Sequence, residues 1–587
     1  MRAPDKAEWL LAQEQKMEAY ETIPVWNLIP RADAKRHETI YRVKWVRTKK
    51  ISISTVDGVS TTICTRKPRL CMIGTRMPRN IYNPFSDVML TRTLKIMLAT
   101  CATYHLYGFT MDAQDAFQTT VDRSVEQGRP RILSHQAPGH ERYGSAGERM
   151  ICEVIKMLQG RIDSCNVFGE ERDEIFMAVP SVTRCPYDPS TFIYHVGELA
   201  GTTATLTEIV AKYTDNSADN IEPFKIGIKE LAVPSEPPHG WAAFGTHVDD
   251  IPGIATSLEV IRYIATHLAQ TYAMKCTGWG NALTLGALIK HDRARREISL
   301  TADHCVDKMV SEHLAGAVLI QPKHVTTPAI MHLSDSDPQS VGPPDPECKK
   351  RVQCILGGFQ WASIWYPSII MPTNRNGAFA ANPTAQNERS LKYTLMHLHA
   401  NRRGVTFGGL GCTTLETEPS PPENPFVDWV DKGTRYWRGH GWCDANLEYP
   451  RSTSSTYFML AGATIETVVS RQRATAKTVH DSETIACSEL VAKTKAIRGV
   501  LQAFSIPQVD PTPIYSDSDS TAKVSRNEAS PRRSLYLMLR AKFITDSFKE
   551  KETKVMHVDG NLNPADAGTK YLSYDTWYRY LRYVLNF

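Results

Sequence analysis

The stretch Phe244-Gly245-Thr246-His247-Val248-Asp249-Asp250-Ile251-Pro252-Gly253-Ile254 constrains this chain more than any other. It carries the only Asp-Asp dipeptide in 587 residues. Short apolar runs flank the pair and read as two strands of a hairpin, so both carboxylates sit at an exposed turn. Adjacent like charges repel, and the arrangement becomes favourable when a divalent cation binds them, as Mg²⁺ does through one or two carboxylates plus substrate phosphates. A solvated turn is the competing reading of an isolated Asp-Asp. A second acidic motif weighs against it: Met111-Asp112-Ala113-Gln114-Asp115-Ala116-Phe117 follows the apolar segment His105–Thr110. An aspartate at a strand end beside the hairpin pair completes a three-carboxylate cage for two metal ions about 3.5–4 Å apart, the arrangement of nucleotidyl transfer.

These motifs, in this order and with Lys156-Met157-Leu158-Gln159-Gly160 between them, resemble the reverse transcriptase of copia-type retrotransposons. There the palm aspartate lies in a Leu-Asp-Val-Lys-Thr-Ala-Phe pattern and the metal-binding pair in Tyr-Val-Asp-Asp. The resemblance implies that Asp112, Asp249 and Asp250 are catalytic and hold Mg²⁺, two ions per site, with Mn²⁺ as an alternative. Arg66-Lys67-Pro68-Arg69-Leu70-Cys71-Met72 resembles a fingers strand, which implies that Lys67 and Arg69 meet the triphosphate while Arg66 points to solvent. The backbone amides of Ala113 and Gln114 are expected to cradle the triphosphate. Phe117, five residues past Asp112, is expected under the sugar, where a ring leaves no room for a 2′-hydroxyl. Gln159 and Gly160 form the implied loop over nucleotide and template.

The chain also departs from the family pattern. His247 stands where the family has Tyr, and Arg161–Phe168 differs from the family's segment, although a helix ending on an aromatic residue still fits. Cys185–Tyr194 resembles the strand entry to the catalytic hairpin, and the residues about 195–240 that follow it are expected to be a surface insertion.

Composition sets outer bounds. A chain of 587 residues is too long for one core, and 42% hydrophobic with 22% charged residues is ordinary for globular protein. No apolar run reaches membrane-spanning length and the N-terminus lacks a signal-peptide core, so neither secretion nor a membrane partner is expected. Thirteen cysteines without any Cys-x-x-Cys pair disfavour a disulfide framework or zinc site and fit a reducing compartment. From Arg31 to Arg79, thirteen Lys/Arg face three acids, Asp33, Glu38 and Asp57, a surplus of ten. Such a surplus tracks a phosphate backbone; a solvated basic face or a localisation signal is the alternative.

Trp9–Glu21 reads as a helix, Trp26–Pro30 and Tyr41–Val46 as strands, and Leu90–Ala102 as a helix with Leu90, Leu94, Met97 and Leu98 on one face. Leu285–Ile289 resembles the primer-holding strand. Ser334–Pro346 reads as a linker, Cys354 to about Phe407 as a helical connection, and Glu416–Pro425, with four prolines, as a boundary.

Beyond that boundary Trp442-Cys443-Asp444-Ala445-Asn446, followed by Arg451–Phe458, resembles the first strands of the copia ribonuclease H domain. Glu483 at a helix start, Asp517 at a strand end and Asp566 in Asn563-Pro564-Ala565-Asp566 fall at matching places. Four carboxylates from separate elements could hold two Mg²⁺ that act on an RNA phosphodiester. Asp517, Asp519, Thr521 and Glu528 also occupy ligand positions of a calcium loop, but Ala522 stands where that loop needs Gly.

The resemblance implies an α+β / α/β multidomain chain: a right-hand (fingers-palm) polymerase domain, a helical connection and a ribonuclease H-like α/β domain. The expected boundaries are 1–110, 111–330, 331–430 and 431–587. Implied partners are an RNA template, a DNA primer, RNA-DNA hybrid and dNTPs, with dimerisation or association with integrase and capsid proteins. The implied location is a cytoplasmic virus-like particle or the nucleus. With no integrase or protease pattern upstream, the chain is expected to be the C-terminal part of a polyprotein or the product of a gene retaining only that part. A decayed or domesticated nucleic-acid-binding copy is the competing class.

Overall fold

A computed structural model of the chain describes residues 5–56, 59–215, 221–314, 327–329, 345–416, 421–528 and 535–587. The expected Ser334–Pro346 linker lies outside the described residues as far as 344. The architecture is mixed α/β and multidomain, with sheets of seven, five, four, four and two strands among the described residues.

The first of these has seven strands in the order Phe224–Ile226, Ala273–Gly278, Tyr107–Gln114, Asp250–Ala255, Gly240–Gly245, Thr191–Val196 and Val182–Arg184. Every neighbouring pair is antiparallel. Its central strands are apolar almost throughout because both faces are covered: Phe109, Met111, Trp241, Phe244 and Ile254 are fully buried. Gly108 is required here, since a Cβ would lie 2.1 Å from the Trp279 ring that covers it.

The helix Thr91–Tyr104 was expected to bury one face, yet every residue from Thr93 to Tyr104 is buried. It packs against strands of the seven-stranded sheet, of a four-stranded sheet and of the C-terminal sheet, and a helix so surrounded is covered all round. Leu90 precedes the helix and remains exposed. Lys95 within it satisfies its ammonium on the Ile364 carbonyl at 2.7 Å, and burial pulls its pKa down to about 8.

The expected surface insertion is partly structural. Phe224–Ile226 adds the edge strand, while the helix Leu206–Tyr213 buries Leu206 and Ile209 and is fixed by a capping box at Thr205 and Glu208. Asn281–Thr284, Ala287–Asp292, Glu297–Thr301 and Val405–Gly408 form the four-stranded sheet. Between Cys354 and about Phe407, the stretch expected to be mostly helical, lie the end of the helix Pro346–Ala362 and the helices Ile370–Gly377 and Ala385–Ala400.

Toward the N-terminus, a long hairpin pairs Val43–Val56 with Val59–Met72, and the helix Lys6–Thr22 packs on its second strand. The C-terminal sheet runs Ala463–Arg471, Thr453–Leu460, His440–Asn446, Thr512–Ser516 and Thr553–His557. The helix Val479–Ala503 lies across it. One buried core continues from Met89 to Leu585 through the central helix, the connection and this sheet.

Candidate metal centres and nucleotide cavity

Asp112 and Asp250 occupy the same rung of an antiparallel ladder, with Lys275 opposite Asp112 on its other side. The turn between the hairpin strands is tight. His247 N donates to Asp250 O at 2.8 Å and Asp250 N returns to His247 O at 3.2 Å, leaving Val248 and Asp249 as the two turn residues. Val248 sits at φ +58°, a left-handed conformation that a β-branched residue adopts only when its surroundings enforce it. The enforcing group is Arg172 on the helix Ser164–Ala178: its buried guanidinium donates to Val248 O at 2.8 Å. Asp173 holds that guanidinium at 2.8 Å. The helix begins near the segment expected to end one, and Phe168 lies inside it.

Burial, and then the charges of Asp249 and Asp112, push the Asp250 carboxyl up to about 6. Asp250 thus lies within electrostatic reach of Asp249 and Asp112, but the oxygens of these three acids do not close to within 4.8 Å of one another. Beside them opens a cavity of about 500 Å³ lined by Asp112, Asp249, Ala113, Gln114, Phe117 and Gln159, with Lys67, Arg69, Arg66 and Lys16 also on its wall.

Gly160 lies just outside this lining at φ +87°. The loop is fastened to the end of the strand Val59–Met72 and the turn after it, since Met72 N donates to Gln159 O at 2.7 Å and Gly74 N to Gly160 O at 3.1 Å. Gln159 Oε1 is buried with no partner among the described residues. Phe117 is half-buried and meets the Phe168 ring edge-on at 5.8 Å.

Two expectations change in detail. Ala113 N is directed at Asp249 O at 3.4 Å, so this amide ties strand to turn instead of standing free toward the cavity. Arg66 does not point to solvent but pairs with Asp5 and Glu8 of the N-terminal helix. Lys67 and Arg69 are exposed.

The second cluster forms on the C-terminal sheet. Gly441 and Trp442 pair in parallel with Ile514 and Tyr515, and continuing that register brings Asp444 opposite Asp517. Oxygens of Asp444, Asp517 and Asp566 lie within 4.8 Å of one another, the one such cluster found among the described residues. Glu483 joins from the first turns of its helix: Oε1 accepts from Ala445 N at 3.0 Å, while Oε2 is buried without a partner. Asn563 Nδ2 donates to Cys443 O at 3.0 Å, fastening the Asp566 loop to the strand.

Burial, then Asp444 and Asp517, raise Glu483; burial, then Asp444, raise Asp566; burial likewise raises Asp517. Protons leave the Glu483 and Asp566 part of the cluster between about 7 and about 9. Such an all-oxygen set, crowded and with an orphaned buried oxygen, fits a hard divalent cation. The calcium-loop alternative fails because Asp519–Ser525 is helical.

Four residues escaped sequence reading. Thr569 donates to Asp444, and Lys570 Nζ lies 2.8 Å from Asp566 and 3.7 Å from Asp444. The spacing of Lys570 four residues past Asp566 was the available signal. Arg172 and Lys16 carry none, because their partners, Val248 O and Asp115, are distant in sequence.

Two groups of acids stand on this mixed frame, Asp112 and Asp249 with Asp250 beside a basic cavity, and Asp444, Glu483, Asp517 and Asp566 on the C-terminal sheet. The chain is a distant relative of a transposon Pol polyprotein. It is 21% identical over 584 residues to the retrovirus-related Pol polyprotein from transposon TNT 1-94 of Nicotiana tabacum, covering 97% of this chain and 37% of that polyprotein. The chain thus spans little more than a third of the curated relative it matches. No family model matches. Among solved structures, the foamy viral protease-reverse transcriptase dRH in complex with dsDNA is 12% identical, covering 93% of this chain and 69% of that one, with TM-score 0.44. The foamy viral protease-reverse transcriptase in complex with RNA/DNA hybrid is 10% identical, covering 94% and 61%, with TM-score 0.40.

Proposed function

We propose that the chain is an RNA-directed DNA polymerase of a copia-type retrotransposon with a ribonuclease H centre, adding deoxynucleotides to a primer 3′-hydroxyl and cutting the RNA strand of the resulting hybrid. The observation that carries this reading is the direct pairing of Asp112 with Asp250 across the ladder, at the mouth of a basic cavity.

Asp112, Asp249 and Asp250 would hold Mg²⁺ or Mn²⁺ at the first centre, and Asp444, Glu483, Asp517 and Asp566 at the second. When bound, the metal supplies charge neutralisation on the phosphates and lowers the pKa of the attacking hydroxyl or water. The chain's own residues do the rest. Lys67 and Arg69 offer exposed cations to a triphosphate at the cavity, where charge-assisted hydrogen bonds are strongest. Phe117, braced by Phe168, presents a rigid ring that would exclude a 2′-hydroxyl. Arg172 holds the turn that aims Asp249. In the second centre, Thr569 and Lys570 orient Asp444 and Asp566.

The test is primer extension and hybrid cleavage with Mg²⁺. Wild type should incorporate dNTPs and Asp249→Asn should not, while Asp444→Asn should lose hybrid cleavage. Absence of incorporation by wild type, or its persistence in Asp249→Asn, overturns the polymerase assignment. Hybrid cleavage surviving in Asp444→Asn overturns the second.

A further inference from the structure

The nucleotide cavity has a wall that the catalytic motifs do not supply. Ala12, Gln15 and Lys16 of the N-terminal helix line it together with Asp112, Asp249 and the fingers cations. The cations differ in how they are held. Arg66 is claimed by two acids of the N-terminal helix, Asp5 and Glu8. The Lys16 ammonium instead lies 2.7 Å from Asp115, a carboxylate 52% exposed on the same wall and three residues from Asp112. Asp115 has the only side chain in an ion pair with Lys16 among the described residues, and it sits in the left-handed region at φ +51°. An exposed ion pair of this kind contributes little to stability. A triphosphate offers the same ammonium a charge-assisted bond of the same kind, with more negative charge behind it. The exchange of Asp115 for a phosphate therefore costs little.

We propose that Lys16 is a nucleotide-binding residue, releasing Asp115 to engage the triphosphate of the incoming dNTP, so that the N-terminal helix forms part of the substrate site. This rests on the polymerase reading above. The sequence pattern agrees with it: the position two residues past Asp112, a lysine in the pattern this chain resembles, is the neutral Gln114, and Lys16 returns a cation to that wall from another element.

A merely structural ion pair and a substrate-binding lysine predict different signs. Breaking the pair from either side has one effect if only the pair matters. If Lys16 binds triphosphate, Lys16→Gln weakens binding while Asp115→Asn, which frees the ammonium, strengthens it. The experiment is titration of the full chain with a fluorescent N-methylanthraniloyl dATP in Mg²⁺, with primer extension run in parallel. Expected are a roughly tenfold rise in Kd for Lys16→Gln, a roughly twofold fall for Asp115→Asn, and near wild-type Kd for Lys16→Arg. Equal Kd changes in Lys16→Gln and Asp115→Asn, an unchanged Kd in Lys16→Gln, or no nucleotide binding by wild type overturns the inference. Wild type that binds the nucleotide but extends no primer defeats the polymerase reading separately.

Discussion

Asp112 and Asp250 are cross-strand partners on one antiparallel rung, and Asp112 with Asp249 lines the acidic end of the neighbouring cavity. Like charges directly opposite one another destabilise a sheet, so this pair opposes folding unless a cation or a proton intervenes. Burial and the neighbouring acids hold Asp250 up at about 6. Asp250→Asn should therefore stabilise the metal-free protein by roughly 1 kcal/mol, a value reduced from 1.4 kcal/mol per pKa unit because the side chain keeps solvent contact. It should also abolish nucleotide incorporation. Denaturant unfolding in EDTA, beside primer extension, checks both; a variant less stable than wild type contradicts the electrostatic account.

The second centre predicts a pH dependence. Glu483, Asp566 and Asp517 are raised in the folded state, so the folded chain binds more protons than the unfolded one and stability falls as pH rises. The stabilisation is complete below the ordinary carboxylate range and is lost by about 9. Thermal unfolding in EDTA from pH 5 to 9 should show a falling midpoint. Mg²⁺ should oppose that fall increasingly as pH rises, because binding displaces those protons. In Asp444→Asn/Glu483→Gln the slope should shrink.

Lys570 competes with any cation at the same carboxylates. Burial pulls its ammonium down, but Asp444 and Asp566 outweigh this and hold it charged. Lys570→Met should strengthen Mn²⁺ binding at the second centre about tenfold, equivalent to 1.4 kcal/mol, while lowering metal-free stability. Calorimetric titration with Mn²⁺ reads the first effect; weaker binding would show that Lys570 assists the metal.

Arg172 couples a helix to the turn that carries Asp249. Arg172→Met leaves Val248 O without its buried donor and Asp173 with Arg184 alone, which should destabilise the fold by about 2 kcal/mol. Misplacement of the Asp249 turn should lower kcat about 100-fold. Nucleotide Kd should stay within twofold, because the cavity cations are untouched. Stopped-flow incorporation separates these; unchanged kcat removes Arg172 from the positioning of the turn.

Much of this was legible in the chain. The Asp-Asp pair at a turn between apolar strands is open to a solvated reading until the Asp112 motif is set beside it, and the antiparallel ladder then pairs Asp112 with Asp250. Asp444 and Asp517 were readable as strand-end acids, and the parallel register places them together. Less was visible where tertiary packing overrode local pattern. The helix Thr91–Tyr104 lost its single buried face because three sheets surround it. Phe224–Ile226 joined the sheet edge from within a polar insertion. Ala113's amide was spent on the turn. Lys16 and Arg172 act on partners more than 70 positions away, and no short-range pattern encodes such pairs.

Asp112, Asp249 and Asp250, and separately Asp444, Glu483, Asp517 and Asp566, are expected to hold divalent metal. Anomalous diffraction from crystals of the full chain grown with Mn²⁺ measures that directly. Peaks should appear between Asp112, Asp249 and Asp250, and again among Asp444, Glu483, Asp517 and Asp566. Manganese bound elsewhere, with both clusters empty, would contradict it.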